Sequence, residues 1–492
     1  MNVQDCLRLS ELEGHGFMMT FLKWLIGTVV GLIALIYIVL IGFLWWGERH
    51  DKPPELRADP VYVRSQQPHR LELINDGLVS LQRRIELIDS AEKTIELEFF
   101  IYELDTAARI ITTQLIAAAS RGVKIRLLVD FSAPVFKLGP RYAEVLQSKG
   151  IEVRYYNTAS LFRFVSTQHR SHRKLLIADG QRAITGGRNI GDDYFNLSSH
   201  YNFLDSDVLV EGPVVASMQS SFDHYWNAPL AERAGQVEQN SEESFNENMF
   251  IADRGLETLV SQVKESTRSY SATTRAHTCS DIAFVTDYSG MSAYNRQVFK
   301  RLVEFLTEAE SELVGESPYF VLREDGLDLL KQLSARGVRQ TYLTNSLAST
   351  DAWYTSSAMT FSFSGLREAG IDLRLFEGNQ PEGVLTLPNG GSQRWGVHAK
   401  RAVVDKKHVV IGTYNVDPRS ANFNSELMLI CRNNPELANE VLVDIQSRIS
   451  GSRKLFESDT SAWSSLILNA ELGQKIRFAL AMPIVYVFDI LL

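Results

Sequence analysis

Two short stretches of this sequence repeat one set of reactive side chains. Each copy has a histidine, a lysine two residues later and an aspartate five residues after the lysine. Small residues and an asparagine follow each aspartate at matching offsets. The first copy supplies His172, Lys174, Asp179, Gly186, Gly187 and Asn189, and the second supplies His398, Lys400, Asp405, Gly412, Thr413 and Asn415. A single such pair of histidine and lysine carries no functional signal, whereas two complete copies predict a catalytic role.

Two imidazoles with two ammonium groups suit the transfer of a phosphodiester. A neutral imidazole can attack phosphorus to form a phosphohistidine, while a protonated imidazole gives its proton to the leaving alkoxide. The second histidine then takes a proton from the incoming alcohol or water. The two lysines and two asparagines would hold the non-bridging oxygens as charge develops. This chemistry needs no metal ion and no cofactor.

The elements around the repeated set are duplicated as well. In an extended strand residues i and i+2 project to one side, so each histidine and its lysine face one point. Helix-to-strand crossings at 117–130 and 146–157 return in the same order at 334–345 and 367–378. We therefore expect two α/β units, residues 70–235 and 285–450, that pack about a pseudo-twofold axis and bring both sets into one cleft.

A long apolar run near the N-terminus predicts a membrane anchor. Residues 24–47 carry no charge and have tryptophans at both ends, and they are longer than the apolar core of a signal peptide. A cleaved signal peptide is the alternative. Arg49, Lys52, Arg57 and Arg64 outnumber the cations before the run, which favours a cytoplasmic catalytic portion.

The remaining segments complete the predicted organisation. Residues 1–23 form an N-terminal segment, 48–69 a linker, 236–284 a polar connection between the units, and 451–492 a C-terminal segment. Its apolar end, 478–492, is too short for a comfortable second span, and we expect either an interfacial segment with Lys475 and Arg477 near lipid headgroups or a tail packed on the domain.

Composition narrows the classes of protein. The chain has 492 residues, 45% of them hydrophobic, and a formal charge of −9, so it is long enough for two domains and has no bulk attraction to nucleic acid. The three cysteines, Cys6, Cys279 and Cys431, lie far apart with no metal-binding spacing. We expect neither a disulfide framework nor a zinc site.

The repeated string resembles the signature of the HKD phospholipase D superfamily over residues 70–450. The strings GGRNIGDDYF, SPYFV and YNVDPRS are further similar to bacterial phospholipase-D-type cardiolipin synthases. The resemblance implies two tandem domains, each a mixed sheet flanked by helices. It also implies that Asp205, with Asp207 as the alternative, and Glu426 hydrogen-bond the catalytic histidines, and that Asp179 and Asp405 are structural. Lys406 departs from the glycine that many members have after the second aspartate.

The resemblance and the anchor together predict a single-pass protein of the bacterial inner membrane that makes cardiolipin. Its expected substrates are phosphatidylglycerol and phosphatidylethanolamine; nucleic acid is not expected, and the active site needs no oligomer. The alternatives are a hydrolytic phospholipase D, a membrane-tethered nuclease of the same fold and a non-enzymatic scaffold, the last disfavoured by two intact motifs. His172 is the expected nucleophile and His398 the general acid and base. We expect His169 at the surface of the cleft edge and His200 and His408 at the surface or in turns.

Overall fold

A computed structural model describes most of the chain. The described residues are 20–40, 42, 62–132, 137–159, 166–236, 254–273, 275–290, 296–387, 394–457 and 460–488. The chain divides into two compact units, Met1–Pro53 and Pro54–Leu492. The charged linker expected from residue 48 lies outside the described residues as far as residue 61, as do Cys6 and, within the predicted polar connection 236–284, residues 237–253 and 274.

The first unit contains one apolar helix, α1 (Thr20–Leu40). It has 21 residues, a mean hydropathy of 2.2 and no buried side chains, and it is long and apolar enough to cross a bilayer. At 1.5 Å per residue its length is about 31 Å, close to the thickness of the hydrocarbon core. It begins before Trp24, whereas the C-terminal end of the predicted span falls outside the described residues.

The second unit alternates strands and helices. The helices are α2 (Gly77–Asp89), α3 (Thr106–Ser120), α4 (Pro140–Ser148), α5 (Val214–Trp226), α6 (Arg254–Thr273), α7 (Gln297–Thr307), α8 (Glu324–Ala335), α9 (Trp353–Met359), α10 (Phe363–Glu368), α11 (Pro418–Asn422), α12 (Pro435–Ser450), α13 (Ala462–Ile467) and α14 (Leu472–Phe488). The strands are β1 (Tyr62–Ser65), β2 (His69–Ile74), β3 (Thr94–Phe99), β4 (Lys124–Asp130), β5 (Ile151–Tyr156), β6 (Leu175–Ala178), β7 (Arg182–Gly186), β8 (Tyr201–Leu204), β9 (Asp207–Glu211), β10 (Ala231–Arg233), β11 (Ala276–Cys279), β12 (Ile282–Thr286), β13 (Glu312–Glu316), β14 (Arg339–Asn345), β15 (Asp372–Phe376), β16 (Arg394–Val397), β17 (Arg401–Val404), β18 (His408–Gly412), β19 (Leu427–Cys431) and β20 (Arg453–Lys454).

Two nine-stranded sheets have the same internal order. The first runs β10-β5-β4-β3-β6-β7-β9-β2-β11, and the second runs β20-β15-β14-β13-β17-β18-β19-β12-β1. In each, three strands are parallel, as β3, β4 and β5 are, and the others pair antiparallel. Parallel neighbours require crossover helices, which α3 and α4 provide in the first half. The predicted duplicated α/β fold with mixed sheets is thereby confirmed.

The halves exchange their edge strands. β1, which precedes the first half, pairs with β12 of the second sheet, and β11, which precedes the second half, pairs with β2 of the first sheet. A shared apolar core joins the two sheets and includes Ile177 and Val210 from one and Val409 and Leu429 from the other. The predicted connecting segment therefore contributes a strand to the first sheet, and the predicted domain boundaries at 70, 235, 285 and 450 remain a sequence prediction.

The C-terminal apolar segment forms α14, which packs on the second half. Phe478, Ala481 and Val485 are buried in the core of that half. Ser357 of α9 donates a hydrogen bond to the Phe478 carbonyl at 3.0 Å. This side of the helix belongs to the domain, as the packed-tail alternative proposes, while its other side is exposed.

The expectation of unlinked cysteines is wrong for one pair. Cys279, the last residue of β11, forms a disulfide with Cys431, the last residue of β19, across 152 residues of sequence. The pair could not be predicted from the sequence, because the two cysteines become neighbours only after β11 has joined the first sheet and β19 the second. The bond therefore links the two sheets covalently.

Removing this link should lower the stability of the catalytic unit. We expect Cys279→Ser or Cys431→Ser to reduce the free energy of unfolding by about 2 to 5 kcal/mol, because the cross-link closes a long loop in the unfolded chain. Denaturant unfolding measures the change, with Cys6→Ser as the control. Peptide mapping of the unreduced protein should recover the linked pair, and alkylation of both cysteines without reductant would contradict the bond.

Candidate active site

His172 is held by a carboxylate from the opposite half of the molecule. Its Nδ1 lies 3.0 Å from both carboxylate oxygens of Glu426 and 3.1 Å from the Thr413 carbonyl. Glu426 also accepts hydrogen bonds from Thr413 Oγ1 at 2.5 Å and Ser420 Oγ at 2.8 Å. Glu426 is fully buried and His172 nearly so, which fixes the direction of the imidazole ring.

His398 has the reciprocal arrangement. Its Nδ1 lies 2.5 Å from Asp205 Oδ2, and Asp205 is contributed by the first half. Asp207, the alternative partner, instead accepts hydrogen bonds from Ser80 and from the buried guanidinium groups of Arg84 and Arg188. Asp205 is thus the carboxylate that contacts the imidazole.

Backbone pairing between the halves creates these contacts. The His172 amide donates to the Ser425 carbonyl at 2.9 Å, immediately before Glu426. The His398 amide donates to the Leu204 carbonyl at 2.8 Å, immediately before Asp205. Each histidine therefore precedes its sheet strand, β6 or β17, rather than lying in it as the spacing suggested, because its segment pairs with the other half.

The lysines are buried beside the histidines. Lys174 Nζ donates to the His172 carbonyl at 2.6 Å, and Lys400 Nζ donates to the His398 carbonyl at 2.5 Å and lies 2.9 Å from His398 Nδ1. Burial lowers the pKa of Lys174 well below its ordinary value and that of Lys400 to about 8. Lys400 also depresses the pKa of His172, so the two copies of the motif act on one site.

The two imidazoles are both less basic than a free histidine. Burial first, and then the lysines, lower the pKa of His172 well below its ordinary value. Burial and Lys400 lower the pKa of His398 to about 4, although Asp205 opposes that change. Neutral imidazoles are the nucleophilic form, and an anionic phosphodiester bound between them would raise both pKa values.

The two carboxyl groups differ in pKa. Burial raises the pKa of Glu426 to about 7, with Lys174 acting in the opposite direction. Burial also raises the pKa of Asp205, but His398 and Lys400 outweigh it and hold this pKa below its ordinary value. The pKa values of the two carboxyls are therefore shifted in opposite directions, that of Asp205 downward and that of Glu426 upward.

A glycine after each motif allows the neighbouring chain segment to approach closely, and in the first half the atom approached is a carboxylate oxygen. A Cβ at Gly187 would lie 2.1 Å from Asp205 Oδ1, and a Cβ at Gly412 would lie 2.4 Å from the Leu427 carbonyl oxygen. Both distances are far below contact, so only glycine lets the strand pass this closely. The predicted close backbone approach is present in both halves.

The two asparagines are placed differently. Asn189 donates to Tyr194 OH at 2.9 Å, and its Oδ1 accepts the Ile101 amide at 3.1 Å. Asn415 is buried, and within the described part of the chain its Oδ1 has no hydrogen-bond partner. Contact of either amide with phosphate stays a prediction.

The motif aspartates bind backbone amides away from the histidines. Asp179 accepts hydrogen bonds from Glu92, Lys93 and Thr94 at the start of β3. Asp405 accepts those of Glu310, Ser311 and Glu312 at the start of β13 in the same way. These hydrogen bonds attach the turn after each motif strand to the start of the neighbouring strand, β3 or β13. They are contacts that stabilise the fold.

Lys406 is the residue at which the second turn departs from the first. It has a φ of 56°, the left-handed region in which glycine is favoured, and the first half has Gly180 there with a φ of 63°. The departure therefore adds backbone strain to the turn while the contacts of Asp405 persist.

The expectation for His169 is wrong. This residue is buried, its ring lies 5.3 Å from that of Phe423, and its Nδ1 is 3.4 Å from a nitrogen of Arg296. Burial and Arg296 lower its pKa to about 3. The three-residue spacing between His169 and His172 does not reveal that residues of the second half pack against His169. His200 is exposed, as expected, whereas His408 is half-buried and is the first residue of β18 rather than part of a turn.

Sequence reasoning missed the aromatic residues that contact the imidazoles. The ring of Phe100 lies 5.2 Å from that of His172, and the rings of Tyr194 and Phe203 lie 5.3 Å and 4.7 Å from that of His398. Arg419 was missed as well, although it lowers the pKa of His172. Tyr194 and Arg419 fall within the motif strings GGRNIGDDYF and YNVDPRS, which was the available signal.

Two α/β domains that share paired histidines and lysines define an enzyme of the HKD phospholipase D type. The sequence profile of the family described as cardiolipin synthase, PLD-like domain, matches residues 84–226 and 302–449. The chain belongs to this family, and it is a phosphatidyltransferase of the phospholipid-modifying class.

Named relatives agree with the family assignment, and a solved structure shares the fold. Cardiolipin synthase C of Escherichia coli K12 is 27% identical over 406 residues, covering 76% of this chain and 84% of that protein. Cardiolipin synthase A of Pseudomonas entomophila is 26% identical over 420 residues, covering 83% and 75%. The phosphatidylserine synthase of Haemophilus influenzae Rd KW20 shares the fold, with a TM-score of 0.60 and 14% identity over 86% of this chain and 95% of that one.

A methyl group at Gly187 should displace Asp205 from His398. We expect Gly187→Ala to slow phosphatidyl transfer about a hundredfold, because a shift near 1 Å in a catalytic group costs that much. Gly180→Ala is the matched control: no atom lies within 4 Å of its Cβ position, so it should cost about 1 kcal/mol of stability through its positive φ and retain activity. Transfer rates and Tm values of both variants test this, and full activity of Gly187→Ala would contradict it.

Proposed function

We propose that this protein is a membrane-anchored cardiolipin synthase that works through a phosphohistidine intermediate. The observation that carries the proposal is the pair of carboxylate-oriented imidazoles, His172 with Glu426 and His398 with Asp205, in a buried site with two lysines. The cardiolipin synthases among its relatives support the choice of reaction. The expected donor is phosphatidylglycerol, and the acceptor is a second phosphatidylglycerol or phosphatidylethanolamine.

In the first half-reaction the phosphatidyl group moves to the enzyme. The carboxylates occupy Nδ1 of each ring, which leaves Nε2 for the substrate. Nε2 of His172 forms a bond to phosphorus, and the bond from phosphorus to the headgroup oxygen breaks. His398 gives its proton to that oxygen, so the headgroup leaves as a neutral alcohol.

In the second half-reaction the acceptor takes the group. Its hydroxyl gives a proton to His398, its oxygen forms a bond to phosphorus, and the bond to His172 breaks. Lys174 and Lys400 would neutralise charge on the non-bridging oxygens in both steps. Water in place of the lipid alcohol would give phosphatidic acid, the product of the hydrolytic alternative.

The pKa values of the two carboxyls are shifted in opposite directions, which supports different roles for the two histidines. An ionised Asp205 at 2.5 Å stabilises an imidazolium, which suits His398 as the proton donor. A Glu426 with a pKa of about 7 gives less stabilisation, and the pKa of His172 is lowered well below its ordinary value. We therefore assign His172 as the nucleophile and His398 as the acid and then the base.

The apolar helix α1 supports a location in the membrane, and a bacterial inner membrane fits the bacterial relatives. Tethering confines the enzyme to the layer that contains its lipids. A tethered nuclease would gain nothing comparable from this anchor, and the net charge of −9 disfavours a polyanionic substrate.

Lipid analysis in cells tests the reaction. Expression in a cardiolipin-deficient bacterium should restore cardiolipin, measured by mass spectrometry of extracted lipids. His172→Ala or His398→Ala should reduce that cardiolipin at least about a hundredfold, since each loses a catalytic group.

The exposed His200 gives the matched control, and His200→Ala should restore cardiolipin fully. Phosphatidic acid without cardiolipin would favour the hydrolase instead. No change in lipids would favour the nuclease or the scaffold, and the scaffold would also tolerate loss of both histidines.

Trapping the intermediate tests the division of roles. We expect His398→Ala to accumulate a phosphatidyl adduct on His172 from a substrate with a p-nitrophenol leaving group, because that group departs without a proton while the acceptor is no longer deprotonated. His172→Ala should form no adduct. Mass spectrometry of the quenched proteins locates the adduct, and an adduct on His398 in the His172→Ala protein would reverse the assignment.

A further inference from the structure

Helix α14 is apolar on both of its sides. Gln474, Phe478, Ala481 and Val485 face the second half and are buried. The opposite side exposes Leu472 by 74%, Ile476 by 51%, Leu480 by 66% and Ile484 by 62%. We call these four residues the outer face. A helix that buries one apolar side and exposes another has more apolar surface than its own domain covers.

An aromatic pair lies beside the outer face near its C-terminal end. Tyr486 is exposed there, and its ring lies 5.4 Å from that of the exposed Phe361. Trp463 is also exposed, but its ring lies 6.1 Å from that of the buried Phe478, on the side of the helix that faces the second half. Tyrosine and tryptophan are enriched where apolar surface meets lipid headgroups.

Cations flank the outer face on two sides. At about 100° per residue, Lys475 and Arg477 project about 160° apart, one at each margin of the apolar stripe. From Phe478 to the end of the helix at Phe488 no residue is charged. An apolar stripe with a basic margin on each side is the charge pattern of a helix that lies on an anionic bilayer.

The same helix contacts the loop beside the active site. Gln474 donates to the Leu347 carbonyl at 3.1 Å. This loop follows Asn345, whose Oδ1 accepts the Val397 amide next to His398, and it leads into α9, which α14 covers. The outer face is therefore on a helix that is hydrogen-bonded to the loop beside one half of the catalytic site.

We propose that the outer face of α14 lies in the headgroup boundary of an anionic phospholipid bilayer. The inference rests on the proposed function only in that it gives the contact a purpose, which is to seat the catalytic unit on the layer that supplies its substrates. A second copy of the chain or a partner protein is the competing occupant. The basic margins favour the bilayer, because the like charges of two such copies would repel each other.

Depth-dependent quenching tests the contact without using activity. The full-length protein carries a dye on Leu480→Cys in a Cys6→Ser background and is reconstituted in phosphatidylglycerol vesicles with acyl-brominated lipid. We expect brominated lipid to quench this dye at least about twofold, because the side chain would lie below the headgroups. The matched control is a dye on Val443→Cys, which is 58% exposed on α12 and should not be quenched.

Kinetics provide the second readout. The variant Leu480→Glu with Ile484→Glu should raise KM for vesicle phosphatidylglycerol roughly tenfold, because it places charges in the boundary. It should leave the rate on dispersed short-chain phosphatidylglycerol unchanged, and Val443→Glu should change neither. Absence of transfer by the unsubstituted protein on both substrates, with quenching at position 480 retained, would refute the proposed reaction and not the contact.

Equal quenching of the dyes at positions 480 and 443 would overturn the contact. So would shielding of position 480 that depends on protein concentration and not on lipid, since that result would assign the face to a second copy.

Discussion

The active site depends on one reciprocal constraint, the pairing of each histidine with a carboxylate from the opposite half. His172 is oriented by Glu426 and His398 by Asp205, so neither half holds a complete site. In each case the histidine amide donates to the carbonyl of the residue before the carboxylate, which sets the contact. Glycine permits the close approach. The exchanged edge strands, the shared core and the disulfide all act on the same interface. Both halves are therefore needed for one complete site, because either half alone would leave its histidine without a carboxylate partner.

Burial prepares this site for an anion. Lys174 and Lys400 are removed from water beside two imidazoles, and the pKa of every one of these bases is lowered. Such a cluster of donors is costly when empty, since the positive charges repel one another in a medium of low dielectric. A bound phosphodiester relieves the repulsion and gains more from each donor than it would in water. The burial that lowers these pKa values therefore also strengthens the attraction between the donors and the developing negative charge.

Two features bear on the side of the membrane on which the proposed anchor would place the catalytic unit. The cations that follow the proposed anchor, Arg49, Lys52, Arg57 and Arg64, favour the cytoplasm, whereas a disulfide persists in oxidising compartments. The disulfide bears more directly on the catalytic unit than the cations do, because it joins the two sheets at the interface on which the site depends. In a reducing compartment the exchanged strands and the shared core would hold this edge of the interface without the bond. The redox state of Cys279 and Cys431 therefore reports the compartment of the folded enzyme directly.

The parts of the structure that were predictable from the sequence are those that local residue spacing and motifs encode. The duplicated fold, the approach of the two lysines and histidines, and the preference for Asp205 over Asp207 follow from repeated offsets and a known signature. The exchange of β1 and β11, the disulfide and the burial of His169 do not, because each arises from contacts between the halves that no local pattern records. A repeat shows that two units exist, but the surfaces through which they complete each other are set by three-dimensional packing. The carboxylates illustrate the difference: the sequence places Glu426 after the second motif, and only the folded chain assigns it to the first histidine.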